Sequence, residues 1–167
     1  MTNFFIRTAN DSDIKGIIDV YKPFVEKTTY TFETTVPTNL KIKQLIENTK
    51  LSKLPFLVVK INGTIIAYAF ASRFQEKRQA YKYTCIANIY VDAKFHGGEV
   101  SHLLYEKLEK QLIESGIVQV YSNITGTNIS AQKFLEQHQF IKVGHMPKFG
   151  YKFEQWHDII WMAKTIQ

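Results

Sequence analysis

One cysteine, Cys85, stands in a chain of 167 residues. It has no partner within the chain, and no Cys/His grouping has zinc-site spacing, so a disulfide-stapled scaffold and a zinc finger are both excluded. The five histidines lack a paired carboxylate pattern, so no metal is expected. Long hydrophobic runs are missing too. No apolar stretch approaches the roughly 18 to 20 residues of a membrane span, and the opening Met1–Arg7 turns polar at once. The expectation is a cytoplasmic protein with no membrane partner. The 4 Pro and 8 Gly are scattered, with no linker, repeat or low-complexity tract, so residues 1–167 are expected to form one domain. Acidic charge is scarce: 15 Asp and Glu face 21 Lys and Arg, a net charge of +6. That surplus raises a nucleic-acid reading, which fails on pattern. There is no helix-turn-helix, basic arm or aromatic RNA-reading signature, and the Lys residues of 94–114 interleave with Glu. What is present, 45% hydrophobic and 22% charged residues, is the composition of a packed core.

Phe4–Ile6 reads as a first strand, followed by a helix capped by Asn10 or Asp11 with an apolar stripe of Ile14, Ile17, Ile18, Tyr21, Phe24 and Val25. Pro23 predicts a kink or break near Tyr21, leaving 28–33 as an ordered loop. A second helix is predicted from Pro37-Thr38 through Glu47. The clearest signal is a hairpin of 56–60 and 64–71 around Asn62-Gly63, a pair that supports the positive φ angles of a tight turn. A basic stretch, Arg73–Arg78, leads to a strand predicted over 81–91. His96-Gly97-Gly98 precedes a helix carrying Val100, Leu104, Leu108 and Leu112, which Gly116 ends. A strand over 117–124, a helix with Ala131, Phe134 and Leu135, and strands over 140–145 and 152–164 complete the chain. This order predicts an α/β (by some schemes α+β) fold, one mixed sheet with helices on both faces.

Several short groups of residues, in order, carry a family resemblance. They are Ile6-Arg7 with Ala9, Asp13, Ile14, Ile17 and Tyr21; Thr28-Thr29 with Phe32-Glu33; Ala71-Ser72 with Phe74; Ala80-Tyr81; Tyr90-Val91-Asp92; Asn128; and Gly150-Tyr151-Lys152-Phe153 with Trp156 and Asp158. Almost end to end, the chain resembles the GNAT superfamily of N-acetyltransferases, and within it the phosphinothricin and methionine-sulfoximine N-acetyltransferase group. The resemblance implies a mostly antiparallel sheet whose two central parallel strands splay apart to admit acetyl-CoA. It also implies an acetyl-CoA site at Val91, His96, Gly97, Gly98, Glu99, Val100, Ser101 and Asn128, in which a helix start offers unpaired amides to the pyrophosphate. In the family, Arg or Gln stands at His96, glycine at Glu99, and glycine or alanine at Ser101. A carboxylate at position 99 brings like charge to a phosphate cradle.

The activity implied is direct acetyl transfer to the primary amine of a small amino acid or analogue, with main-chain groups around Asn88, Tyr90 and Val91 orienting the thioester. The glutamate that commonly serves as base is Ile86 here, and the later His or Tyr is Leu135, with His138 three residues away; neither Ile86 nor Leu135 transfers a proton. Water, the substrate carboxylate, Tyr81 or a residue of the last strand is left to carry it. Phe32, Glu33, Arg78, Tyr81 and Trp156 are the substrate candidates: Glu33 for an ammonium, and Arg78 or Lys77 for a carboxylate. Cys85, inside a strand pattern, fits a small buried side chain rather than a nucleophile. A homodimer is implied as well. The rival reading is a weak or inactive GNAT-fold module that binds a metabolite or partner.

Overall fold

The structure, a computed structural model, describes residues 4–167; the polar opening at 1–3 lies outside them. Among the described residues seven strands form one sheet in the order β1-β2-β3-β4-β5-β7-β6. The strands are β1 (Phe5–Thr8), β2 (Phe56–Ile61), β3 (Thr64–Arg73), β4 (Thr84–Val91), β5 (Gln119–Thr125), β6 (Ile141–Lys152) and β7 (Gln155–Thr165). Among the described residues four α-helices flank it: α1 (Ile14–Lys27), α2 (Asn39–Leu51), α3 (Glu99–Glu114) and α4 (Ile129–Gln137). Alternation along β2 sorts the core. Phe56 and Val58 face Ile17, Val20, Tyr21 and Ile46 of α1 and α2, whereas Leu57 and Val59 face Leu104, Leu108 and Leu112 of α3. Both faces are covered, which is why the run 56–59 is buried without a polar break.

The Asn62-Gly63 hairpin forms as expected, with φ of 48° and 83°. Pro23 does not break its helix. α1 runs on to Lys27, because Ile17, Val20, Tyr21 and Val25 bury one side of it. Pro23 and Asp19, whose carbonyl loses its usual partner, both lie on the exposed side where water can serve it. The strand expected from Tyr81 begins only at Thr84, since Gln79–Tyr81 is a 3₁₀ turn. β6 reaches Lys152, well past the expected His145, by absorbing Pro147 in a register shift on the sheet edge.

Among the described residues, β4 with β5 is the sole parallel pairing, and it is short. Thr84, Cys85 and Ile86 pair with Gln119, Val120 and Tyr121, after which the strands part. β4 continues to Val91 on β3, and β5 continues to Thr125 on β7. The central pair is therefore splayed over its C-terminal half. Where α1 begins, buried Asp13 accepts from Arg7 at 2.6 and 2.8 Å and pairs with Lys60 at 3.2 Å. Burial alone would raise the Asp13 pKa; the bonds from Arg7, Asn10 and Lys60 outweigh it and hold the carboxyl below its ordinary value.

Candidate active site

The gap between β4 and β5 is lined by main chain whose orientation follows from the ladder. In an extended strand the N–H and C=O of one residue point to the same side, and the side alternates along the chain. Asp92 N–H reaches Ile66 O, and Thr84 O accepts from Phe74, so even-numbered residues turn toward β3. Ala87 O accepts from Ser122 Oγ on β5 at 3.2 Å, so odd-numbered residues turn toward the gap. The amides turned away from β3 and toward the gap are thus those of Ile89 and Val91. This corrects the expectation for Asn88 and Tyr90, whose amides belong to the β3 ladder.

On the α3 side, a cleft of about 450 Å³ is lined by Val91, His96, Gly97, Ser101 and Asn128, together with Tyr30, His102 and Lys133. Gly97 has φ of 71°, a conformation side chains disfavour, and it turns the chain into the start of α3. That start has no side-chain cap, so a 16-residue helix presents orphan first-turn amides beside the cleft. Glu99 is exposed and stands outside the cleft wall. Val100 is buried in the core, and Gly98 occupies the N-cap of α3. Asn128 caps α4, its Oδ1 accepting from Ala131 N–H at 3.1 Å, which leaves the Nδ2 amide to offer a ligand. His96 donates from Nε2 to Val91 O at 2.5 Å, tying the loop to the strand end. An uncapped helix start, a left-handed glycine, and His96, His102 and Lys133 in the wall fit a polyphosphate; the Glu99 carboxylate does not intrude.

On the opposite face, a cavity of about 350 Å³ between α2 and the sheet is lined by Tyr21, Glu33, Lys41, Tyr68, Phe70 and Tyr90, among others. Tyr90 packs edge-on against Tyr21, with ring centroids 4.8 Å apart. Burial raises the pKa of both, so they stay protonated at neutral pH. Glu33 is paired to Lys41 Nζ at 3.0 Å. Phe32 lies over Gly150, where an added Cβ would fall 2.6 Å from the ring, so that glycine is required by close approach. Arg78 and Tyr81 are not brought to this cavity; they line a separate one of about 230 Å³ with Arg73 and Phe74. Trp156 is exposed near the β6–β7 turn, packed on Tyr151. Ile86 ends the parallel pairing and Leu135 is buried, so neither position carries a proton. His138 is engaged by His102 at 3.0 Å, and burial lowers its pKa. Burial also pushes the Cys85 thiol up to about 12, which makes it a poor nucleophile. Lys41, Lys133 and His102 were not legible beforehand, because nothing in their local sequence distinguishes them from surface residues; Lys152 belongs to the Gly150–Phe153 group, but its burial was not legible.

The family model for the acetyltransferase (GNAT) domain matches residues 6–161. The chain belongs to the GNAT acetyltransferase family. It is 24% identical over 162 residues to the phosphinothricin N-acetyltransferase of Alcaligenes faecalis, covering 96% of this chain and 82% of that one. The L-methionine sulfoximine/L-methionine sulfone acetyltransferase of Salmonella typhimurium is 25% identical over 158 residues, covering 94% and 91%. A GNAT superfamily phosphinothricin acetyltransferase from Sinorhizobium meliloti, solved in complex with acetyl-CoA, superposes with a TM-score of 0.92 at 25% identity, covering 99% and 89%. The mixed sheet with its splayed central pair and helices on both faces is therefore a GNAT-type acetyltransferase fold. Among the described residues no helix is long and apolar enough to cross a membrane.

Proposed function

We propose that this chain, acting as one domain in the cytoplasm, carries an acetyl group from acetyl-CoA to the primary amine of a small amino acid or analogue of the phosphinothricin or methionine-sulfoximine kind. The observation that carries this reading is the gap itself: the amides of Ile89 and Val91 open between a cleft suited to a polyphosphate and strands bordering a cavity that holds Glu33. Acetyl-CoA supplies an activated thioester. The first turn of α3, His96, Gly97, Lys133 and Asn128 would hold its phosphates and pantetheine arm, while the Ile89 and Val91 amides would hold the thioester oxygen as charge develops on it. Glu33 attracts the acceptor ammonium, and Lys41 is the cation in the same cavity able to meet a carboxylate. With Ile86 and Leu135 inert and Tyr81 in another cavity, the amine proton is left to water, the substrate carboxylate or a residue of the last strand.

Homodimerisation belongs to the same reading. It is supported by the outer edge strand β6, which exposes Ile141, Val143, Phe149 and Tyr151, and sedimentation checks it. The deciding experiment is titration calorimetry with acetyl-CoA followed by CoA release with a panel of amino acids. Saturable release with one of them is the expected result. No binding of acetyl-CoA sinks the proposal, and binding without turnover replaces it with the metabolite-binding module.

A further inference from the structure

Residues 28–33, between α1 and α2, form a strap that borders both cavities: Tyr30 lines the cleft on the α3 side and Glu33 the cavity under α2. Three elements fasten it. Tyr21 of α1 shares a hydrogen bond of 2.5 Å with Thr31 Oγ1, which also accepts from Glu33 N–H at 3.3 Å. Thr125, at the end of β5, donates its hydroxyl to Thr29 O. Lys152, at the end of β6, donates from Nζ to Thr31 O at 2.9 Å.

Of these, Lys152 is the costly one. It is only 5% exposed and has no ion pair among the described residues. Its three N–H donors meet one carbonyl and, at 5.0 Å, the face of Phe153. A methionine of similar length would fill the space without desolvating a charge. Burial lowers the Lys152 pKa, and the Glu33 carboxylate partly restores it. The other titratable groups around the contact include Lys41 of α2, paired to Glu33, Tyr21 of α1 on Thr31 with Tyr90 of β4 packed against it, and His157 of β7, which donates from Nε2 to Lys152 O at 2.9 Å.

We propose that Lys152 is a positioning residue for the acceptor: by holding Thr31 O it fixes the strap so that Glu33 faces the acceptor cavity, at the expense of stability. The proposal rests on the acetyl-transfer reading above, which gives Glu33 its task. A buried cation with no ion pair among the described residues, whose one hydrogen bond fastens a strap bordering two cavities, fits a group kept for the strap's task rather than for packing.

The test is Lys152→Met in the full chain, read in two ways. Hydrogen exchange of the 28–33 amides needs no turnover; it is expected to quicken about tenfold or more while the β2 and α3 amides and the urea midpoint hold or improve. In steady state, the acceptor KM is expected to rise about 10- to 100-fold while acetyl-CoA affinity stays within about threefold. Unchanged strap exchange overturns the proposal. So does a fall in stability with both ligands weakened alike, since a merely structural lysine would give that. A wild-type chain that binds no acetyl-CoA overturns the transfer reading instead, and strap exchange still decides whether Lys152 fixes the strap.

Discussion

The two faces of the sheet meet the same gap by different means. The α3 face offers mostly main chain: the Ile89 and Val91 amides, the open turn at Gly97 and the uncapped start of α3. The α1/α2 face offers side chains, Glu33, Lys41, Tyr21 and Tyr90, gathered from a strap, two helices and a strand. Main-chain devices tolerate changes in the side chains around them, whereas a constellation of side chains depends on every element that supplies one. That difference explains how Glu99 and Ser101 can depart from the family pattern without closing the cleft. Glu99 points to solvent, and the Ser101 hydroxyl bonds back to Gly98 O at 3.0 Å.

The largest blow to the main-chain side is Val91→Pro, which removes an amide turned to the gap but no rung of the β3 ladder. CoA release should fall about 10²- to 10³-fold with circular dichroism unchanged, the loss typical of one oxyanion donor. A smaller loss with intact binding would move the donor role elsewhere. On the side-chain face, Asp13→Asn loosens the anchorage of α1 to β1 and β2 and leaves Arg7 and Lys60 without a buried anion. The expected cost is about 3 kcal/mol in urea unfolding at pH 7. Because the Asp13 pKa is lowered in the folded state, its contribution is fully present above the ordinary carboxylate range and is lost as pH falls through the folded value. The gap between the wild-type and Asp13→Asn unfolding curves should therefore narrow below about pH 4.

Glu33→Gln should raise the acceptor KM about tenfold and leave acetyl-CoA affinity alone, as loss of a charge-assisted contact on one face only. Equal effects on both ligands would dissolve the division of labour. The smallest effect is expected of Glu99→Gly. Calorimetry should record less than about a twofold change in acetyl-CoA affinity, for the carboxylate is solvated and screened. A tenfold tightening would mean that residue 99 faces the phosphates after all.

How much of this was legible depended on the range of the forces involved. Asn62-Gly63 declared its hairpin because turn chemistry is local, and the α3 stripe declared its helix because burial repeats every turn. Pro23 misled because its local cost is offset by tertiary burial of Ile17, Val20, Tyr21 and Val25, which the helix's own sequence does not weigh. The extent of β6 was missed because Pro147 is admissible only on an edge, and edge position is a property of the whole sheet. The turn into α3 could be located from His96-Gly97-Gly98, yet which amides of β4 face the gap required the β3–β4 register. Lys152 stood out only as part of the Gly150–Phe153 group, and its burial arises only when the strap folds over Gly150.

The brevity of the β4–β5 pairing has a mechanical meaning. The sheet is two smaller sheets, β1–β4 and β5–β7, stitched along three residue pairs and splinted by Ser122 and the helices above. Among the described residues, the other neighbouring strands pair over four or more residues, with register shifts in β2–β3 and β6–β7. At the open seam, a molecule lying between the strands would act as a missing rung, so that occupancy stiffens the joint between the halves that grip it.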